Sequence, residues 1–127
     1  MMVQEALSAY ETLKAEGKDV TVVDMPCIKP IDEELIKELA KEHEVIVSCE
    51  EHSVIGGLGS AIGEVLVKNE PVKMVMIGMQ DCFGESGTPD ALLEKYELDA
   101  KAIVKKLKKY YKKEVVQNIV QLLLLIK

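Results

Sequence analysis

"EVIVSCEEHSVIGGLGSAIGEVLVKN", Glu44 to Asn69, is the stretch on which the reading of this chain turns. A β-branched apolar run, Val45 to Val47, continues through Ser48 and Cys49 to two carboxylates, Glu50 and Glu51, and then His52. A glycine turn follows, and after it an apolar-periodic run that reads as a helix. Strand, turn and helix in that order make half of a βαβ unit. Its polar groups then collect at the carboxyl edge of a parallel sheet, where open α/β sheets bind ligands.

The same alternation extends in both directions. "DVTVVDM" (Asp19 to Met25, closed by Pro26) and "VKMVMIGM" (Val72 to Met79) have strand length and little period-two alternation, as in a sheet covered on both faces. "VQEALSAYETLKAEG" predicts a helix with Val3, Ala6, Leu7, Tyr10 and Leu13 on one face, stopped at Gly17. "PIDEELIKELAKEH" predicts a helix capped by Asp32 that buries Leu35, Ile36 and Leu39. Thr88 should cap a short helix with Pro89 in its first turn. Asp99 should cap the next, with Ile103, Leu107, Tyr110 and Tyr111 facing inward. Strands alternating with helices predict an α/β fold of three layers, α/β/α, around a mainly parallel sheet. The first helix is anomalous, because no strand precedes it.

Composition narrows the function classes. The chain has 127 residues, 48% hydrophobic and 30% charged, which suits one domain with a real core. Its net charge is -6, and all 16 basic residues are lysine. Without arginine there is no bidentate fork for phosphates or guanine edges, so nucleic acid is not an expected partner. Cys27, Cys49 and Cys82 are odd in number and form no CxxC pair, which suggests buried thiols in a reduced cytoplasmic setting. No signal segment opens the sequence. Its longest apolar run, Leu122 to Ile126, is far short of the ~20 residues that span a bilayer, so no membrane partner is expected.

The carboxyl edge carries the candidate chemistry. A helix beginning near Gly57 to Ser60 would offer free amides to an anion. Yet Gly57, Gly59 and Gly63 miss the dinucleotide fingerprint by one residue, and no Gly-Lys-Ser/Thr completes a P-loop. The alternative is that these glycines allow a tight turn and close helix–sheet packing. Cys49, Glu51 and His52 do not make a metal site, since consecutive strand residues point to opposite faces. His43 falls at the other end of the strand. Ser86, in "FGESGTPD", lacks the second glycine of a nucleophile elbow and any histidine after it. "KKLKKYYKK" (Lys105 to Lys113) sets its lysines opposite an apolar stripe, as a solvated helix face does. Catalytic and metal-ligating residues are therefore not assigned.

Taken together, "VTVVDMPCIKPIDEELIKELA", "EEHSVIGGLGSAIGEVL" and "FGESGTPDALLEKYELDAKAI" resemble the C-terminal domain of transketolase, over residues 2 to about 113. Glu50-Glu51-His52 and the loop Phe83 to Gly87 favour transketolase over its relative, deoxyxylulose-phosphate synthase. The resemblance implies a noncatalytic part of an enzyme that moves a two-carbon ketol unit between sugar phosphates. That enzyme uses thiamine diphosphate and a divalent metal, held by other domains of a homodimer; this chain would bind neither. Partners would be the thiamine-binding domains or subunit. The domain's own role would be dimer support, with regulation also suggested. By this resemblance Glu51, His52, Gly57, Gly59, Ser60 and Glu85 are interface or scaffold residues. A free-standing anion- or regulator-binding module built on the same residues is the alternative.

The resemblance also implies departures at both ends. The family's first strands, including one in the middle of the sheet, are absent, so the chain reads as N-terminally truncated. Residues 1–113 form the domain, and 114–127, "EVVQNIVQLLLLIK", form an apolar tail. "DVTVVDM" and "EVIVSCE" should flank the missing central strand. The tail should cover the exposed surface, within the chain or in a dimer. Its stripe of Val115, Val116, Ile119, Val120, Leu122, Leu123 and Ile126 favours a covering helix over a replacement strand.

Overall fold

Among the described residues the alternating sequence pattern folds into four parallel strands sandwiched between two helix layers. The computed structural model describes residues 1–111 in full, and 122–126 as backbone. In chain order the elements are α1 (Met2–Ala15), β1 (Val20–Asp24), α2 (Glu33–Glu42), β2 (Val45–Ser53), α3 (Leu58–Lys68), β3 (Lys73–Met79), α4 (Pro89–Lys95), α5 (Ala100–Tyr111) and β4 (Leu122–Ile126). The strands lie in the order β1-β4-β2-β3.

Period-two geometry divides the core. From β2, Val45, Val47 and Cys49 enter a cluster with Met2, Ala6, Ala9 and Leu13 of α1 and with Ile103 and Leu107 of α5. Ile46 enters the opposite cluster, with Ile36 and Ala40 of α2 and Leu58, Ile62 and Leu66 of α3. The three-layer α/β/α architecture read from the sequence is the architecture observed. The helix that lacked a preceding strand is tied to α5: the Glu5 carboxylate accepts the Ala100 N–H at 2.7 Å, and Lys108 pairs with Glu16 at 2.6 Å.

Most helix signals act as expected. Asp32 accepts the Leu35 N–H at 3.0 Å, Asp99 accepts the Ala102 N–H at 3.0 Å, and Gly17 follows α1 with φ of 74°. Thr88 departs from expectation. It precedes α4, but its side chain makes no capping bond; its carbonyl accepts the Leu92 N–H instead. Leu7 is 47% exposed, because the buried face of α1 runs through Met2, Ala6, Ala9 and Leu13. In α2, Ile36 and Ala40 are buried while Leu35 and Leu39 are half-buried. Of the three thiols only Cys49 is buried; Cys27 and Cys82 are exposed.

The tail brings a correction. Its residues Leu122–Ile126 form a strand, not a covering helix, and they sit in the middle of the sheet. β4 pairs in parallel with β1 from Val20↔Leu122 to Asp24↔Ile126, and with β2 from Val45↔Leu122 to Cys49↔Ile126. The reason is hydrogen-bond satisfaction. β1 and β2 each present a row of N–H and C=O groups to the space between them, and only an extended segment can pair with both. A helix closes its bonds on itself. Residues 114–121 of the tail lie outside the described residues.

Candidate functional site at the carboxyl edge of the sheet

β2 outruns its neighbours and carries the candidate residues beyond them. Its register with β3 is regular to Cys49↔Ile77, shifts, and resumes at Ser53↔Met79. Glu50, Glu51 and His52 ride on this irregularity.

Glu50 is 1% exposed, and its carboxylate is fully employed. One oxygen accepts the Leu58 N–H at 2.7 Å and the other accepts the Gly59 N–H at 3.0 Å. These are first-turn amides of α3, orphaned by the helix geometry and bearing its positive end. The anion that the helix start attracts is thus supplied by the strand before it. Gly57 stands at the N-cap, where a Cβ would strike the Glu50 carboxylate and approach the Ser53 carbonyl to 2.6 Å. A Cβ at Gly59 would come within 2.6 Å of the Ser48 Oγ and 2.9 Å of the Met76 Cγ. Both glycines are there for close approach.

Ser60 fastens the turn. Its Oγ donates to the Val54 carbonyl and accepts the Gly56 N–H, both at 2.9 Å, while Gly56 takes φ of 75°. Glu51 points to the opposite face of the sheet and accepts the Met2 N–H, at the start of α1, at 2.8 Å. The two adjacent carboxylates therefore cap two different helices. His52 is exposed, with Nδ1 2.9 Å from the Ser53 carbonyl oxygen. Glu85 is exposed and paired with Lys95.

Of the six residues singled out from the sequence, Glu51 and Glu85 come together. They border one cavity of about 360 Å³, floored by Met79, Leu92, Leu93 and Tyr96. Gly57, Gly59 and Ser60 belong to the α3 turn on the other face, and His52 joins neither group. Glu50, outside that set, is the residue with the tightest environment. The signal for it was a carboxylate at the strand end facing a glycine turn and a helix without a capping side chain.

The remaining reactive groups are structural. His43 is buried at the far end of β2, as expected. Its Nδ1 lies 2.8 Å from the Leu39 carbonyl, which can only accept, so Nδ1 donates, and Nε2 lies 3.1 Å from the Thr21 hydroxyl. Burial pushes the Cys49 thiol up to about 12, which removes it as a nucleophile at neutral pH. The buried Ser48 Oγ has no hydrogen-bond partner among the described residues.

Thiamine diphosphate and a divalent metal do not fit this edge. A diphosphate at the α3 terminus would meet the Glu50 carboxylate already bonded there. Among the described residues no group of three His, Cys, Asp or Glu side chains is placed to hold a metal.

Comparison with known proteins agrees with this arrangement. The family described as transketolase, C-terminal domain, matches residues 1–103. The putative transketolase C-terminal section of Methanocaldococcus jannaschii is 47% identical over 113 residues, covering 88% of this chain and 35% of that protein. A 6-deoxy-6-sulfo-D-fructose transketolase subunit of Clostridium sp. is 46% identical over 105 residues, covering 83% of this chain and 33% of that protein. The 1-deoxy-D-xylulose-5-phosphate synthase of Photobacterium profundum is 44% identical over 110 residues, 86% of this chain and 17% of that enzyme. A solved split gene transketolase, described as an inactive beta4 tetramer, matches with a TM-score of 0.80 and 52% identity, over 85% of this chain and 35% of that one. The chain thus spans about a third of the length of the transketolase relatives it matches. By its match over residues 1–103 and its identity to these relatives, the chain belongs to the transketolase C-terminal domain family.

Proposed function

We propose that this chain is the noncatalytic C-terminal portion of a transketolase, working with thiamine-binding domains supplied by a partner in a dimeric, cytoplasmic assembly. In that enzyme thiamine diphosphate supplies the carbanion chemistry that moves a two-carbon ketol unit between sugar phosphates. This chain's part is to support the assembly. The observation that carries the reading is the internal use of the edge carboxylates. Glu50 is buried with both oxygens bonded at the start of α3, and Glu51 accepts the first amide of α1, so both carboxylates serve this chain's own helices.

Two other readings are weaker. A free-standing anion-binding module at the α3 terminus conflicts with the Glu50 carboxylate already bonded there. The matching domain of a deoxyxylulose-phosphate synthase has support from the 44% identical relative. Against it stand the Glu50-Glu51-His52 sequence and the Phe83 to Gly87 loop.

The test is reconstitution. The chain is purified alone and also co-expressed with a thiamine-binding section of a transketolase, and both samples are assayed for ketol transfer. Activity should appear only in the co-expressed pair. Saturable calorimetric binding of thiamine diphosphate and magnesium to the chain alone would overturn the reading.

A further inference from the structure

Two rows of opposite charge lie on opposite faces of this molecule. On α5, Lys101, Lys105 and Lys109 recur every four residues and are exposed. They form one wall of a groove of about 660 Å³ between α5 and α1, floored by Val104 and faced by the small side chains of Ser8 and Thr12. None of the three makes an ion pair among the described residues. Lys108, which lines the same groove, takes the Glu16 carboxylate at 2.6 Å, so a carboxylate is an anion that these lysines can hold. On α2, Glu34, Glu38 and Glu42 recur with the same spacing and are exposed. Because α1 and α5 cover one face of the sheet and α2 covers the other, the acidic row cannot reach the basic one within a single chain.

We propose that the α1–α5 groove docks the α2 helix of a second copy of this chain, with Glu34, Glu38 and Glu42 set against Lys101, Lys105 and Lys109. Spacing supports this occupant. Both rows step by four residues, about 6 Å along the helix axis, so three pairs can form together over about 12 Å. Rows of that step are the ridges of a helix surface, and two of them run parallel when the helices cross at about 50°, the commonest packing angle. Charge supports it as well. Copies with a net charge of -6 repel one another on average, so association needs a local complement. α5 supplies its basic side and α2 its acidic side. The stems of the wall lysines, with Val104, offer the glutamate stems apolar surface to cover. The contact is heterologous: each copy uses its groove for one neighbour and its α2 for another, which builds a ring or an open chain of copies. Both rows lie on the helix layers, not at the sheet edge that carries Glu50 and Glu51, so the contact goes beyond the transketolase role.

The test is a charge swap read by mass. In about 0.1 M salt the weight-average mass of the full chain, by sedimentation equilibrium, should rise above 14.1 kDa with concentration; in about 1 M salt it should return to 14.1 kDa. Lys101→Glu, Lys105→Glu and Lys109→Glu together should hold the chain at 14.1 kDa, and so should Glu34→Lys, Glu38→Lys and Glu42→Lys together. An equimolar mixture of the two triple variants restores opposite charges at every contact between them, and should regain the wild-type mass. Should a triple variant not fold, the single reversals Lys105→Glu and Glu38→Lys, alone and mixed, should give the same pattern with a smaller change. The proposal is overturned by a wild-type chain of 14.1 kDa at every concentration in about 0.1 M salt, or by association that persists in about 1 M salt. It is also overturned by variants that associate as the wild type does, or whose mixture stays at 14.1 kDa.

Discussion

Glu50 and Glu51 are neighbours in the chain, yet each closes a different helix on a different face of the sheet. Glu50 receives two amides of α3, and Glu51 receives the first amide of α1. Adjacent carboxylates at a sheet edge look like an acid–base pair. Strand geometry turns them apart, and each spends its charge on a helix terminus.

Glu50→Ala should therefore cost far more than Glu51→Ala. The first leaves two buried amides without an acceptor, a loss of about 2–3 kcal/mol. The second removes a half-exposed cap, about 0.5 kcal/mol, screened further by salt. Denaturant melts of both variants at low and high salt check the order. Sulfate should restore part of the stability of Glu50→Ala, because that variant opens the α3 terminus to an outside anion.

Gly57→Ala and Gly59→Ala should each destabilise by about 1 kcal/mol or more, with or without phosphate. Gly57→Ala should be the worse, since it meets a backbone carbonyl and the capping carboxylate, neither of which can yield cheaply. Gly63 is a contrast inside the same helix: the nearest atoms to a Cβ there are methionine termini at 4.0 Å. Gly63→Ala should stabilise by roughly 0.5–1 kcal/mol through helix propensity. Equal losses at all three sites would show that packing does not distinguish them.

Ser48 and Gly59 should be coupled. The Ser48 hydroxyl is buried without a partner among the described residues, so Ser48→Ala should cost little or even stabilise. It also clears the nearest obstacle to a side chain at Gly59. In a double-mutant cycle, Ser48→Ala should lessen the penalty of Gly59→Ala by about 0.5 kcal/mol or more. Strict additivity would mean that the Met76 contact alone decides.

Thiol reagents should titrate two cysteines in the native chain, Cys27 and Cys82, and a third only after unfolding. The same burial has a pH signature. Cys49 is held at about 12 against an ordinary 9.0. Between those values the unfolded chain loses this proton while the folded chain keeps it. Stability should therefore fall as pH rises from 9.0, and the contribution is absent below it. Tyr111, raised by burial to about 12 from 10.0, adds to the loss over the upper part of that window. Cys49→Ala should flatten the alkaline slope of the melting curve.

What could be read from the sequence was local. The period of each segment, the capping aspartates Asp32 and Asp99, and the stop at Gly17 were all legible. Each depends on residues within a few positions of one another. What escaped needed distant partners. The residues of β4 fit a helical stripe as well as a strand, and only the empty space between β1 and β2 decides for the strand. Glu50 was left without a role because its partners are backbone amides, which no side-chain motif records. Leu7 was counted as core because a stripe gives a helix face but not its rotation against the sheet. The exposure of Cys27 and Cys82 depends on loops, where periodicity says nothing.

The placement of β4 also sets a timetable. Val20 and Leu122 are paired neighbours 102 positions apart. As the chain is synthesised, β1, β2 and β3 are all complete before the segment that joins them exists. Until Leu122–Ile126 emerge, β1 cannot be fastened to the rest of the sheet by hydrogen bonds. Contacts of such long sequence separation slow folding, because the loop must be closed before they return anything. For that interval the edges of β1 and β2 that β4 will join wait for a partner from the far end of this sequence.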